Sequence, residues 1–190
     1  VAPPSAVPHD GYSGPVFVFS GQGSQFWPVD PSLLPHFPVF RATLLQCEGL
    51  LRAHGADWSL LEQLTARNGS SRLHETDVCQ AAIFACQVAL AALWQSWGIA
   101  PPAVIGHSLG EVAAGHVAGA LSLEQAVGIV THRGRITKQA AGKGAMALVG
   151  LSMAAAAAVI RGYEPALAIA VSNSPTNCVL SGDPAALTEI

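Results

Sequence analysis

Apolar residues fall along this chain in blocks of two lengths, and the lengths predict two kinds of element. Val16-Phe17-Val18-Phe19 is a β-branched and aromatic run too short for a helix. It ends at the glycine loop Ser20-Gly21-Gln22-Gly23-Ser24-Gln25. A helix is expected from about Pro38 to Ala53, with Val39, Leu44, Leu45, Leu50 and Leu51 as its apolar positions. Ser59 heads a shorter helix through Leu64, and Arg67 to Ser71 reads as a polar loop. Val78 to Trp97 carries no charge and predicts a buried helix. Ala103-Val104-Ile105 is a second strand, and helical spacing returns at Val112, Ala113, His116 and Val117 until Gly119. Ser122 and Gln125 form a capping box that opens a helix to about Ala141. The order strand, helix, strand, helix predicts an α/β fold with a parallel sheet.

Beyond Gly142 the texture changes. Ala145 to Val149 reads as a strand, and Ser152 caps an alanine-rich helix to Ile160. Leu167 to Val171 and Cys178 to Leu180 are further strands, and Asp183-Pro184 opens a last helix. This β-α-β-β-α order supplies five elements of a ferredoxin-like unit, whose sixth is a strand. That strand is expected beyond Ile190, so the chain is expected to stop inside its second subdomain. The expected boundaries are a Pro/Ala linker over residues 1–14, a larger subdomain over 15–142 and a smaller one over 143–190.

Composition narrows the function classes. Hydrophobic residues make up 51% and charged residues 11%, which implies a sizeable buried core. The formal net charge is -3, and no basic cluster is interleaved with aromatics, which argues against nucleic-acid binding. Cys47, Cys79, Cys86 and Cys178 form no Cys-x-x-Cys pair and read as buried thiols in a reducing, cytoplasmic setting. The start has neither an initiator Met nor a basic leader pattern, and the chain reads as cut from a longer polypeptide. The charge-free segment is long enough for a membrane span of about 20 residues. Gln80, Gln87, Gln95 and Ser96 interrupt it, and Gly98 and Pro101-Pro102 stop it, which favours a core helix.

Chemistry concentrates at Gly106-His107-Ser108-Leu109-Gly110. Gly-x-Ser-x-Gly between a strand and a helix is the nucleophile elbow, in which small flanking residues let the backbone bend and expose the serine oxygen. Ser108 and Glu111 also read as a capping box that would only start a helix, and both readings stand. The loop from Gly21 to Gln25 lacks the third glycine of a dinucleotide fingerprint, because Phe26 stands there. Gly142-Lys143-Gly144 is not a P-loop. The first loop is therefore either a tight turn or a set of backbone N–H donors for an oxyanion. The seven histidines offer no zinc spacing, and His107, beside the serine, is a poor general base because it points elsewhere. By sequence physics alone, Arg133 reads as a surface arginine.

Several blocks together resemble a family. They are Phe17-Val18-Phe19-Ser20-Gly21-Gln22-Gly23-Ser24-Gln25, Gly106-His107-Ser108-Leu109-Gly110-Glu111, His132-Arg133-Gly134-Arg135, Gly144-Ala145-Met146-Ala147, Asn173-Ser174-Pro175 and Val179-Leu180-Ser181-Gly182-Asp183. In this order they resemble the acyltransferase domain of a modular polyketide synthase, similar to malonyl-CoA:acyl carrier protein transacylases, over about Pro15 to Ile190. The resemblance implies an α/β-hydrolase-like large subdomain with an inserted ferredoxin-like small one, incomplete here. It implies that Ser108 takes an acyl group from coenzyme A as an ester, with the backbone N–H groups of Gln22 and Leu109 as oxyanion hole. Arg133 would hold the free carboxylate of a malonyl-type group, with His107, Gln80 and Asn173 also in contact with substrate. The implied partners are coenzyme A thioesters, a phosphopantetheinylated acyl carrier protein and neighbouring synthase domains, with no metal or bound cofactor, no nucleic acid and no membrane.

Three departures from the family pattern stand out. The family's catalytic histidine follows the small subdomain and has no counterpart here, so the chain by itself is expected to be crippled. Phe26-Trp27-Pro28-Val29-Asp30 replaces the family's Trp-x-x-Met-Gly. Ala81 follows Gln80 where the family commonly has proline, a change expected to touch only a helix start. Leu109, and more loosely the segment Glu75 to Gln80, lean towards malonyl over methylmalonyl. The competing readings are a serine hydrolase of the α/β-hydrolase class, and a non-catalytic acyltransferase-like scaffold.

Overall fold

The first apolar run forms β1 (Phe17–Phe19), which pairs in parallel with β2 (Val104–Gly106). The register sets Phe17 opposite Val104 and Phe19 opposite Gly106. The computed structural model describes residues 14–23, 29–66 and 70–190. These divide into two compact units, one up to Lys138 and one from Gln139 to Ile190. Nearly all of the expected linker lies outside the described residues, as do Ser24 to Pro28 and 67–69 of the polar loop.

Between β1 and β2 the chain forms α1 (Leu33–His36), α2 (Pro38–Ala53), α3 (Leu60–Thr65) and α4 (Thr76–Ser96). Pro38 suits the first turn of α2, where its missing N–H costs nothing. The helix buries Phe40, Leu44, Cys47 and Leu51, a stripe at helical spacing, and packs on α4. Ser59 caps α3, its Oγ accepting from the Glu62 N–H at 3.3 Å. α4 buries residues on nearly all sides, from Val78 to Leu93. It is the one helix among the described residues long and apolar enough to cross a membrane, and 67% of that stretch is buried inside the protein. It serves as the core helix of the first unit, with Phe84, Leu44, Leu60, Leu64, Leu109, Val127 and Val130 fully enclosed. Truncating Phe84 to alanine would cost about 3–5 kcal/mol. The pattern of apolar residues did not foretell α1, a single turn in a segment without helical period. It did misplace the start of α4: the helix begins at Thr76, so Ala81 lies in its second turn and not at its start.

After β2 come α5 (Gly110–Val117) and α6 (Leu123–Ala140). The second unit holds β3 (Ala145–Val149), α7 (Met153–Val159), β4 (Leu167–Ser174), β5 (Asn177–Gly182) and α8 (Pro184–Glu189). Its sheet is antiparallel in the order β3-β5-β4. Ala156, Ile160, Leu167, Cys178 and Leu180 form its core. Ser152 Oγ accepts from the Ala155 N–H, and Asp183 Oδ1 from Ala185 and Ala186, so both helices start at the expected caps. β4 and β5 run further than their apolar residues indicated. Polar Ser172, Asn173 and Ser174 continue β4 through a register shift, which hides the alternation a strand normally shows.

Candidate active site

The parallel register of β1 and β2 brings their carboxyl ends side by side, so the loops after Phe19 and Gly106 emerge together. Two glycines make the second loop possible. A Cβ on Gly106 would lie 2.4 Å from Glu111 Cα, and one on Gly110 would lie 2.1 Å from the Phe19 carbonyl oxygen. No side chain fits either place. The His107 N–H donates to that same Phe19 carbonyl at 2.9 Å and ties the turn to β1. Between the glycines Ser108 is held at φ +54°, a left-handed conformation that costs a non-glycine residue about 1–2 kcal/mol. It is the only non-glycine at positive φ among the described residues.

The Ser108 hydroxyl does not cap the helix behind it. Leu109 is the residue that precedes α5, and it makes no side-chain cap. Instead Ser108 Oγ accepts a hydrogen bond from Arg133 Nη2 at 3.1 Å. Arg133 sits half-buried on α6, and its Nη1 donates to Gln80 Oε1 at 2.7 Å. Gln80 is buried on α4 and passes the chain on, Nε2 donating to Gln22 Oε1 at 3.0 Å. The guanidinium can only donate, which fixes the orientation of the Gln80 amide. Ser108, Arg133, Gln80 and Gln22 are thus linked across the elbow, two helices and the glycine loop. The surface reading of Arg133 is replaced by this arrangement.

The glycine loop lies against the serine turn. A Cβ on Gly21 would meet His107 Nδ1 at 3.1 Å and Ser108 Cβ at 3.3 Å. Neither the Gln22 nor the Leu109 backbone N–H has a backbone acceptor among the described residues. The Leu109 side chain is fully buried and anchors the turn in the core. Asn173 lies on β4, in the second unit. The site can therefore present one hydroxyl beside a fixed cation, with backbone donors on the two adjoining loops.

α6 reaches the site because it lies close on α4. A Cβ on Gly134 would be 2.9 Å from Asp77 Cα. One turn further, Lys138 Nζ donates to Glu75 Oε2 at 2.7 Å and to Asp77 Oδ2 at 3.0 Å, and Arg72 Nε donates to Glu75 Oε1 at 2.7 Å. These bonds, Arg72 first and Lys138 second, pull the Glu75 carboxyl down to about 2. Residue patterning missed the part played by Gln87, whose Nε2 donates to the Ser20 carbonyl at 2.7 Å. Its signal was the shared face with Gln80, seven positions earlier on an otherwise apolar helix.

The acyl transferase domain profile matches residues 16–190. The chain belongs to the acyl transferase domain family. Erythronolide synthase EryA2 of Saccharopolyspora erythraea is 42% identical over 172 residues, covering 90% of this chain and 5% of its own length. Spectinabilin polyketide synthase system protein NorA of Streptomyces orinoci is 43% identical, covering 100% of this chain and 10% of its own. Among solved structures, the acyltransferase domain from module 8 of the salinomycin polyketide synthase is 43% identical with a TM-score of 0.83, covering 92% of this chain and 41% of that one. An acyl carrier protein S-malonyltransferase from Vibrio cholerae is 31% identical with a TM-score of 0.78, covering 91% and 56%. The chain thus spans about half the length of these solved acyl transferases, and a small part of the synthases. Its mixed α/β fold is theirs.

Proposed function

We propose that this acyl transferase domain takes a malonyl-type group from a coenzyme A thioester as an ester on Ser108. It then hands the group to the phosphopantetheine thiol of an acyl carrier protein, in polyketide or fatty acid biosynthesis. The observation that carries this reading is the 3.1 Å contact between Ser108 Oγ and Arg133 Nη2. In a malonyl group a single methylene separates the thioester carbonyl from the free carboxylate. A nucleophile for the one and a cation for the other must then be close neighbours, as these two are.

In the first half-reaction Ser108 Oγ attacks the thioester carbonyl, a base accepts its proton, and a tetrahedral oxyanion forms. The N–H groups of Gln22 and Leu109 receive that charge; such donors are typically worth about 3 kcal/mol of barrier each. Collapse expels coenzyme A, which takes that proton from the base as a thiol, and leaves the ester. In the second half the base takes the proton of the carrier thiol as its sulfur attacks the ester, and gives that proton to the departing Ser108 oxygen. Arg133 grips the carboxylate through its planar fork and favours groups that carry one, because a charge-assisted bidentate pair is stronger than the single bond its Nη2 otherwise makes to the Ser108 hydroxyl. Gln80 holds the guanidinium in plane with that task. His107 contacts the bound acyl chain, and Leu109 favours malonyl over its methyl-branched homologue. Neighbouring synthase domains in the same polypeptide supply the carrier, in keeping with the multidomain relatives.

The test is intact-protein mass spectrometry of the polypeptide that carries this chain, after brief exposure to malonyl-, methylmalonyl- and acetyl-CoA. A malonyl adduct is expected, absent in Ser108→Ala and reduced at least tenfold in Arg133→Ala. An adduct that decays to free acid faster than it passes to a carrier would make the protein a hydrolase. A folded protein that forms no adduct would leave only a scaffold.

A further inference from the structure

We propose that Gln87 is a positioning residue that sets the Ser20–Gln22 loop at the depth where the Gln22 N–H meets the developing oxyanion. The inference rests on the reading of Gln22 given above. Gln87 Nε2 donates to the Ser20 carbonyl at 2.7 Å, two residues before Gln22. That carbonyl also borders the elbow, since a Cβ on Gly110 would lie 2.8 Å from it. Fixing its direction fixes the peptide plane that leads into Gly21 and Gln22. Gln80 and Gln87 lie on one face of α4, and they hold the same loop at two points. Gln80 grips the Gln22 side chain, and Gln87 grips the backbone where the loop leaves β1.

Stability does not explain a glutamine here. Its Oε1 is buried and has no hydrogen-bond partner among the described residues. Reversing the amide would set carbonyl against carbonyl, so the present orientation is the only one that bonds Ser20. Beside it lies an open apolar groove lined by Phe17, Val18, Phe19, Leu90, Ala91 and Trp94. Methionine or leucine would fill that place without desolvating an acceptor. A buried acceptor kept unsatisfied at a site's edge points to a task for the other end of its amide. That task is to keep the loop from drifting outward, because small errors of donor placement weaken an oxyanion hole severely.

The experiment uses Gln87→Met, nearly the same shape without a donor, and Gln87→Leu, in the whole polypeptide. Ester formation on Ser108 from malonyl-CoA is followed by rapid quench over a range of thioester concentrations. The saturating rate is expected to fall about tenfold in both variants, with half-saturation unchanged. Thermal unfolding is expected to stay in place or move upward. Full rate in Gln87→Met would overturn the inference. So would a rise in half-saturation at unchanged saturating rate, which would make Gln87 a binding group. A rate loss that only follows lost stability would overturn it as well. Absence of ester on the wild-type serine would sink the proposed function and this inference together, whereas ester on the wild type with undiminished variants sinks the inference alone.

Discussion

Ser108-x-x-Glu111 and Ser122-x-x-Gln125 share one sequence pattern and end as opposite structures. At Ser122 the pattern closes as a capping box. Ser122 Oγ accepts from the Gln125 N–H at 3.1 Å, and Gln125 Oε1 accepts from the Ser122 N–H at 2.9 Å. At Ser108 the backbone is left-handed, the Glu111 N–H goes to the Ser108 carbonyl, and the hydroxyl meets Arg133. The difference lies two residues to either side. Ser108 has Gly106 and Gly110, which admit the Glu111 backbone and the Phe19 carbonyl at distances no Cβ tolerates. Ser122 has Ala120 and Glu124 there, and the chain relaxes into an ordinary cap. The serine supplies the oxygen in both places, and the glycines decide whether it serves the backbone or faces Arg133.

The largest effect should come from removing that difference. Gly110→Ala places a methyl 2.1 Å from the Phe19 oxygen, a backbone atom held in β1. Relief requires parting the elbow from the strand, so a loss of about 3 kcal/mol or more is expected in urea unfolding. Glu124→Ala, at the matching position beside Ser122, should change stability by no more than about 0.5 kcal/mol. Equal losses at the two positions would refute the role given to the glycines.

Exchanging the serines separates the two jobs. Ser122→Ala should cost about 1 kcal/mol of stability, through loss of the cap, and leave ester formation intact. Ser108→Gly should remove ester formation and raise stability by about 0.5 kcal/mol, as relief of the left-handed strain outweighs the added freedom of the unfolded chain. Paired urea curves and adduct masses read both effects. A cap-sized loss of stability in Ser108→Gly would return Ser108 to the status of a helix starter.

This pair also shows what the sequence could and could not reveal. Caps at Ser59, Ser152 and Asp183 were legible because each is closed by donors within three residues. The presence of α2 and α4 was legible because apolar period and its absence are local properties, but the buried face of α2 was read only in part: Leu44 and Leu51 turn inward with Phe40 and Cys47, whereas Val39 and Leu45 are exposed. The elbow itself was ambiguous, since nucleophile turn and cap share their residues. What decides between them is contact with β1, remote in sequence. Arg133 read as a surface group because Gln80 and Ser108 lie on other elements, and only the resemblance to a family pointed it inward. Gln87 read as a mere interruption of an apolar helix, for its partner is the backbone of a loop far upstream. The ends of β4 and β5 were hidden by polar residues paired through irregular register.

The smallest expected effect concerns how Arg133 is presented to Ser108, the feature Ser122 lacks. Lys138 joins α6 to Glu75 and Asp77 at the start of α4, one turn beyond the close approach at Gly134. Glu75 is held down to about 2 from an ordinary 4.5, by Arg72 first and Lys138 second. A depressed carboxyl stabilises the fold when ionised. Its contribution is therefore complete above about pH 4.5 and is lost as pH falls through about 2. These groups face solvent, so the gain is modest and weakens with salt. In Lys138→Met the Glu75 midpoint, read by carboxyl NMR titration, should rise yet stay below 4.5, because the stronger Arg72 bonds remain. A midpoint unmoved by the substitution would mean that Lys138 does not grip Glu75, and that the close approach at Gly134 alone brings Arg133 to the serine.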